Sequence, residues 1–139
     1  MEAIVPYLFF DGNAKEAFDF YAKALNGEIV YSGTYGEAPT PCPDADKNKI
    51  MHATLKAGEL TLMCSDAPEG KRDAAKGAAI SLSLNFTDDA EMDKVFNAMA
   101  EGGNVTMALQ DTFWGARFGM LTDKFGMGWM FNHDKPKVQ

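Results

Sequence analysis

The sequence predicts an α+β fold built from two copies of one β-α-β-β-β unit. Two observations carry this prediction. Similar residues recur at a fixed distance along the chain, and each copy combines one segment of helical periodicity with several segments of strand-like alternation. The pairs separated by 76 positions are Phe10 and Phe86, Ala14 and Ala90, Phe20 and Phe96, and Gly27 and Gly103.

The two copies differ in length by about eight residues. The turn glycines Gly58 and Gly126 lie 68 positions apart, and three prolines cluster within residues 37–49. We therefore predict a loop at 37–49 in the first copy. The expected organisation is one domain over residues 1–139, with modules at about 1–68 and 77–133 and a polar tail at 134–139.

Each copy contains one predicted helix. The first has apolar residues at helical spacing, a predicted capping box formed by Asn13 and Glu16, and a stop at Gly27. The second is capped by Asp88, with Glu91 three residues later. The predicted buried positions are Ala14, Ala17, Phe18, Tyr21 and Leu25 in the first helix and Met92, Val95, Phe96 and Met99 in the second.

One strand is predicted before each helix and three after it. The leading strands cover residues 4–10 and 79–86. The following strands lie near 28–35, 50–56 and 60–65 in the first copy, and near 105–110, 116–122 and 127–132 in the second.

The alternation in residues 79–86 indicates which side chains lie on each face of the sheet. Apolar residues alternate with Ser81, Ser83 and Asn85, and successive side chains of a strand point to opposite faces. The apolar row is expected under the helix. If the two halves pair into an eight-stranded cup, the polar row is expected to line the cup. The alternative interpretation is that this row faces bulk solvent on a half-exposed strand.

Composition excludes several classes of partner. The 139 residues carry a net charge of −7, and no run of five basic residues occurs, so binding to nucleic acid or to a membrane surface is not expected. The longest uncharged stretch is eleven residues, 77–87, too short to span a bilayer. The first residues do not resemble a signal peptide, so a cytoplasmic location is expected. Cys42 and Cys64 are expected to be free thiols.

Four motifs carry a resemblance to a known family. They are PYLFF at 6–10, DTFWGARFG at 111–119, TDKFG at 122–126 and WMFN at 129–132. With the duplicated unit, the chain resembles the vicinal oxygen chelate superfamily, which includes glyoxalase I, extradiol dioxygenases and the bleomycin and fosfomycin resistance proteins, and within it the PhnB-like branch. The resemblance implies an eight-stranded cup that holds a small molecule, often in a homodimer and frequently with a divalent metal at its floor.

The implied metal can be tested against the sequence. Members of the superfamily that use a metal place four ligands on four strands. In this chain the corresponding positions are Pro6, Leu62, Ser81 and Met130, and none of these residues is an imidazole or carboxylate donor. Shifting the register by one residue does not improve the set. We therefore predict that the chain holds no metal and needs no cofactor; a hidden site formed by His52, His133 or Cys64 is the alternative.

The remaining candidates are ligand-binding residues, each with an alternative. His52 faces the cup or solvent. The guanidinium of Arg117 holds an anionic group or pairs with Asp111 or Asp123. Trp114 walls the mouth of the cup or fills a dimer seam, and the many methionines line a pocket or fill the core. The predicted ligand-binding set is His52, Ser81, Ser83, Trp114, Arg117, Met130 and Asn132, and no catalytic residue is assigned.

Two functions are consistent with these residues. The first is a metal-free small-molecule-binding protein. The alternative is a lyase, isomerase or dioxygenase-type enzyme that uses an atypical metal or general acid-base chemistry through His52 and Arg117. Proteins resembling this chain are sometimes described as demethylubiquinone methyltransferases, but the sequence has no alternating β-α-β-α run of the kind that ordinarily binds a methyl donor.

Overall fold

The computed structural model describes residues 5–39, 41–67 and 81–135. The chain divides into two compact units, Met1–Gly77 and Ala78–Gln139. The predicted beginnings of both leading strands, at residues 4 and 79–80, and most of the predicted polar tail lie outside the described residues. Among the described helices, none is both long and apolar enough to cross a bilayer.

The first unit follows the predicted order of elements. Its elements are β1 (Tyr7–Phe10), α1 (Ala14–Ala24), β2 (Glu28–Thr34), β3 (Ile50–Ala57) and β4 (Leu60–Asp66). The sheet order is β1-β4-β3-β2, with β1 parallel to β4 and the other pairs antiparallel. The connection from β2 to β3 has short 3₁₀ turns at Tyr35–Glu37 and Asp44–Asp46. The described part of the predicted loop at 37–49 contains no strand.

The second unit repeats this topology. It consists of β5 (Ser81–Asn85), α2 (Asp89–Ala100), β6 (Asn104–Asp111), β7 (Ala116–Thr122) and β8 (Gly128–Asp134). The sheet order is β5-β8-β7-β6, and β5 is parallel to β8. The predicted α+β class with two β-α-β-β-β units is therefore confirmed. Strand β8 extends further than predicted, because Asp134, the first residue of the predicted tail, pairs with Ala116 in the sheet.

Each helix covers one face of its own sheet. In the first unit Phe18 and Tyr21 of α1 pack with Phe10, their ring centroids 6.4 Å from that of Phe10. In the second unit Phe96 of α2 packs edge-on against Phe131, with centroids 5.0 Å apart. The buried helix positions are Ala14, Ala17, Phe18 and Tyr21 in α1 and Met92, Val95, Phe96 and Met99 in α2, as the periodicity predicted. Leu25 is the exception: α1 ends at Ala24, so Leu25 is its C-cap residue and is only half-buried.

One predicted cap is confirmed and one is wrong. The Asp88 carboxylate accepts hydrogen bonds from the backbone amides of Ala90 and Glu91 at the start of α2. Asn13 makes no side-chain cap at the start of α1. The buried carboxylate of Asp66, at the end of β4, instead accepts a 3.0 Å hydrogen bond from the Ala14 amide, because the sheet brings this stronger acceptor to the helix N-terminus.

We call the sheet face opposite the helix the open face of each unit. In the first unit it carries, among others, Tyr7, Phe9, Tyr31, His52, Thr54 and Met63. In the second unit it carries, among others, Ser81, Ser83, Asn85, Met107, Phe118, Met120, Met130 and Asn132.

Candidate functional site

The first open face is dominated by partly exposed aromatic side chains. Tyr7, Phe9 and Tyr31 are 40%, 45% and 55% exposed. In β1, Tyr7 and Phe9 alternate with buried Leu8 and Phe10, which lie on the face covered by α1. The period of two in this strand therefore places an aromatic pair on the open face and an apolar pair in the core.

His52 occupies the centre of this aromatic surface. Its Nδ1 lies 3.1 Å from the Tyr7 hydroxyl, and its Nε2 lies 3.1 Å from the Thr54 hydroxyl. The ring centroids of Tyr7 and Tyr31 are 5.6 and 5.8 Å from the imidazole centroid. Tyr7 on β1 and Tyr31 on β2 approach from opposite sides of the sheet order, so His52 is flanked by rings and hydrogen-bonded at both nitrogens.

Strand register explains how these residues meet. Thr54 faces Tyr31 on β2 and Met63 on β4, and Met63 faces Tyr7 on β1. One row of side chains thus crosses all four strands, and His52 lies two residues from Thr54 on the same face. His52 was predicted from the sequence, whereas Tyr31 and the hydrogen bond to Tyr7 were not. The signal that could have found them is the period-two placement of Tyr7 with Phe9 and of His52 with Thr54.

The second open face contains a row of thioethers. Ser83 faces Met130, Met130 faces Met120, and Met120 faces Met107 across the four strands. In the neighbouring row the Asn132 amide nitrogen is 3.4 Å from the side-chain oxygen of Asn85. The predicted residues Ser81, Ser83, Met130 and Asn132 therefore share one face.

Trp114 lies at the tip of the β6–β7 hairpin rather than within a strand. It is 55% exposed, and its neighbour Phe113 is 97% exposed. The two rings are perpendicular, with centroids 5.0 Å apart, and Trp114 also contacts Phe118, which belongs to the open face of the second unit. The tip therefore extends the rim of that open face.

Arg117 lies on the face covered by α2, unlike the other candidates of the second unit. Its Nη2 is 2.6 Å from the Asp93 carboxylate of α2, and its Nη1 is 3.7 Å from that of Asp89. These partners differ from the predicted Asp111 and Asp123. Asp89 and Asp93 lie in the first turns of α2, and Arg117 lies at the start of β7, so the guanidinium links the helix to the sheet.

A mixed-charge cavity surrounds this ion pair. Asp89 also binds His133, 2.7 Å away, and Lys135, 2.6 Å away. The hydrogen bonds from Lys135 and His133 lower the pKa of Asp89. The cavity has a volume of about 530 Å³ and is lined by Asp89, Asp93, Asp111, Thr112, Gly115, Ala116, Arg117 and Lys135.

The described residues do not fit the metal that the fold family implies. On the open faces, the first and last strands of the two units present mainly aromatic, thioether, hydroxyl and amide groups. The end of β8 adds one carboxylate, that of Asp134, which accepts a 3.1 Å hydrogen bond from the Asn132 amide. A divalent metal needs several imidazole or carboxylate donors together, and this face does not supply them. The predicted position Leu62 is fully buried on the helix-covered face, so its placement in the cup was wrong. No group of three His, Cys, Asp or Glu side chains suited to a metal occurs in the described ranges.

The alternative donors are also engaged elsewhere. Both His52 nitrogens are hydrogen-bonded, and His133 binds Asp89 in the other unit. Cys64 is buried under α1, where burial and the nearby Asp66 charge raise the pKa of its thiol to about 12. Since metals bind the thiolate, this cysteine is a poor ligand in the folded chain.

Comparison with known proteins identifies the family. A family model described as 3-demethylubiquinone-9 3-methyltransferase matches residues 2–131. A structure titled putative 3-demethylubiquinone-9 3-methyltransferase, PhnB protein, from Bacillus cereus is 28% identical, with a TM-score of 0.78 over 95% of this chain and 99% of that one. The chain belongs to the PhnB-like family.

Other relatives agree with this assignment. Protein YjdN of Escherichia coli is 36% identical to the PhnB-like chain over 138 residues, covering 91% of this chain and 92% of that protein. The structure of protein PA1353 from Pseudomonas aeruginosa is 43% identical, with a TM-score of 0.84 over 98% of this chain and 100% of that one. The fosfomycin resistance protein FosX of Listeria monocytogenes is 11% identical, with a TM-score of 0.66 over 97% and 94% of the two chains, and shares the fold. The predicted resemblance to the PhnB-like branch is confirmed, and the chain shares its fold with a fosfomycin resistance protein, as the predicted resemblance implied.

Proposed function

We propose that this PhnB-like chain binds a compact, partly apolar, oxygen-bearing small molecule on the open faces of its sheets, without the help of a metal. The observation that carries the proposal is the His52 network. It places hydrogen-bonding groups at the centre of a partly exposed aromatic surface. Ligand sites commonly combine an apolar lining with a few oriented polar groups.

The second open face supports the same proposal with different chemistry. Its row of Met107, Met120 and Met130 offers flexible, polarizable thioethers that adapt to the shape of an apolar group. Ser83 stands at one end of that row, and the Asn85–Asn132 amide pair lies beside it. These groups supply donors and acceptors for ligand oxygens.

A thermal-shift screen tests the proposal. The panel contains compact oxygen-bearing compounds, both aromatic and aliphatic, and S-adenosylmethionine as a methyl-donor arm. We expect some compounds to raise the melting temperature of the wild-type chain, and S-adenosylmethionine to leave it unchanged. Ligand binding stabilises the native state by an amount that grows with ligand concentration, so true ligands shift the temperature in a dose-dependent way.

Three variants locate the site. Ser83→Leu and His52→Leu alter the two open faces, and Lys15→Leu places the same apolar side chain on the exposed surface of α1. The proposal expects the ligand-induced shift to fall in at least one open-face variant and to persist in Lys15→Leu. It is overturned if no compound shifts the melting temperature at millimolar concentration, or if both open-face variants respond like wild type.

We also propose a cytoplasmic location and a homodimeric state; the family resemblance implies the homodimer. The supporting observation is the exposed aromatic pair Phe113 and Trp114 at the hairpin tip, since exposed aromatic residues are enriched at protein interfaces. Sedimentation equilibrium should give twice the chain mass of 15.2 kDa. A concentration-independent monomer would refute the dimer and leave the ligand proposal standing.

One observation supports the alternative function, a lyase, isomerase or dioxygenase-type enzyme. The Tyr7–His52–Thr54 chain of hydrogen bonds can accept a proton at one hydroxyl and release one at the other, as general acid-base catalysis requires. Arg117 does not contribute to this chemistry, because it lies on the helix-covered face of the second unit and is bound to Asp93 of α2. Proton NMR of each compound found in the screen, incubated with the chain, distinguishes the two: unchanged spectra favour binding, and new product signals favour catalysis.

A further inference from the structure

The hydrogen atoms of the His52 network determine what it offers to a ligand. The Tyr7 and Thr54 hydroxyls carry one hydrogen each, and a neutral imidazole carries one N–H. The two internal hydrogen bonds use two of these three hydrogens. One hydroxyl hydrogen therefore remains for a ligand, at the Tyr7 end or the Thr54 end according to the imidazole tautomer.

Protonation of His52 increases this surplus. Both ring nitrogens then donate, so both hydroxyl hydrogens become available and the imidazolium adds a positive charge. In either state the network has at least one hydrogen to donate outward. It is therefore matched to an acceptor oxygen on the ligand, and more strongly when that oxygen is charged.

Neighbouring charges do not oppose an anion at this position. Among the described strand residues of the first sheet, the carboxylate on the open face belongs to Glu28, which faces Lys56 across the β2–β3 pair. Asp66, the acidic residue of β4, is buried and accepts hydrogen bonds from the amides of Ala14 and Ile50 on the other side of the sheet. The side chains around His52 itself are Tyr7, Tyr31 and Thr54, which are uncharged hydroxyl-bearing groups.

The aromatic rings define the rest of the ligand. Tyr7 and Tyr31 lie 5.6 and 5.8 Å from the imidazole on opposite sides, and Tyr7 also packs 5.1 Å from Phe9. Such half-exposed rings offer planar apolar surface for offset or edge-on contacts with another ring. A purely aliphatic ligand would use the hydroxyls but forgo these contacts.

From this geometry we propose that the first open face selects a planar aromatic molecule that carries an oxyanion, a carboxylate or a phenolate. The oxygen binds at the Tyr7–His52–Thr54 network, and the ring packs against Tyr7 and Tyr31. This inference rests on the proposed function, because it names the ligand class of one of the two open faces.

Three probes test the class by calorimetry. 2-Naphthoate has both the ring and the oxyanion, cyclohexanecarboxylate has the oxyanion alone, and naphthalen-2-ylmethylammonium has the ring with a cationic donor. We expect 2-naphthoate to bind at least about tenfold more tightly than naphthalen-2-ylmethylammonium, the factor expected for one charge-assisted hydrogen bond. It should also bind more tightly than cyclohexanecarboxylate, which keeps that bond but lacks the aromatic contacts. Equal affinity for cyclohexanecarboxylate overturns the aromatic class while leaving a small-molecule site in place.

Two histidine variants test the location. His52→Phe keeps a ring but removes the hydrogen-bonding nitrogens, and His133→Asn alters the other histidine of the chain, which is bound to Asp89 in the second unit. We expect His52→Phe to weaken 2-naphthoate about tenfold or more, and His133→Asn to bind like wild type. The inference is overturned if the two variants respond alike, or if 2-naphthoate shows no saturable binding to wild type.

A wild-type measurement protects the test against misfolding of a variant. Amide chemical shifts recorded during a 2-naphthoate titration should change in Tyr7–Phe10 and Ile50–Ala57 and stay constant in Gly128–Asp134. Shifts confined to the second unit overturn the location. If 2-naphthoate fails but other compounds stabilise the chain in the thermal-shift screen, the ligand class is wrong and the proposed function stands.

Discussion

Removal of the Asp66 side chain should strongly destabilise the protein, because this one buried carboxylate accepts hydrogen bonds from two secondary-structure elements. It is 1% exposed. Its Oδ1 accepts from the Ala14 amide at 3.0 Å, and its Oδ2 accepts from the Ile50 amide at 2.8 Å. The first bond caps α1 and the second fixes the start of β3, so Asp66 joins the helix to the strand that carries His52.

The cost of removing this carboxylate follows from its two bonds. Asp66→Ala leaves two buried amides without their acceptor, at about 1–3 kcal/mol each, so the free energy of unfolding should fall by roughly 2–6 kcal/mol. Domains of this size are stable by about 5–15 kcal/mol, so the variant should lose a large share of its stability. Asp66→Asn keeps one acceptor oxygen and should lose about half as much.

Urea unfolding followed by circular dichroism measures this loss. The control is Asp19→Ala, which removes an exposed carboxylate paired with Lys15 on α1 and should cost about 0.3–0.5 kcal/mol. Both tryptophans, Trp114 and Trp129, lie in the second unit, so their fluorescence reports whether that unit unfolds in the same transition. An unfolding midpoint for Asp66→Ala as close to wild type as that of Asp19→Ala would refute the capping role.

Three further predictions follow from the described contacts. Ser81→Leu places a bulky apolar group on the second open face, so ligand binding to that face should be lost while the unfolding midpoint changes little; unchanged affinity would assign this residue to solvent. The lowered pKa of Asp89 means that its pairing stabilises the fold above the ordinary aspartate pKa and is lost as pH falls through the lowered value. Lys135→Ala should therefore raise the Asp89 pKa in a carbon-13 NMR titration, and an unchanged titration would contradict the pairing. Because the pKa of Cys64 is raised to about 12, iodoacetamide should alkylate half-buried Cys42 in the folded chain and modify Cys64 only after unfolding, as peptide mass mapping can show.

The fold could be predicted because its determinants are local or repeated. The helix-covered positions of α1 and α2 follow from apolar residues at helical spacing, and the strands from alternation within a few residues. The 76-residue repeat then required both halves to share one topology. These features do not depend on knowing which distant segments meet.

The cap of α1 could not be predicted in the same way. Asn13 and Glu16 have the spacing of a capping box, but the acceptor used by the Ala14 amide comes from Asp66, 52 positions along the chain. Local spacing indicates where a helix begins. It does not show which distant carboxylate the sheet delivers to that end.

The error at Leu62 has a geometric cause. Aligning Gly58 with Gly126 treats their turns as equivalent, and both glycines do have positive φ, +59° and +88°. However, β3 and β4 are joined by two residues, whereas β7 and β8 are joined by five. Pairing across the sheets shows that Met63, not Leu62, corresponds to Met130. A slip of one residue moves a strand side chain to the opposite face, which is why Leu62 was assigned to the cup and lies in the core.

The two units differ most where they are not packed against their helices. Corresponding rows of the open faces contain Tyr7, Met63, Thr54 and Tyr31 in the first unit and Ser83, Met130, Met120 and Met107 in the second. On the helix-covered faces, by contrast, Leu62 and Cys64 of β4 and Trp129 and Phe131 of β8 are all buried and apolar. Core packing restricts both units to apolar residues at these positions. The open faces are free of that restriction, so the first has become an aromatic-imidazole surface and the second a thioether-amide surface, and each offers a ligand different chemistry.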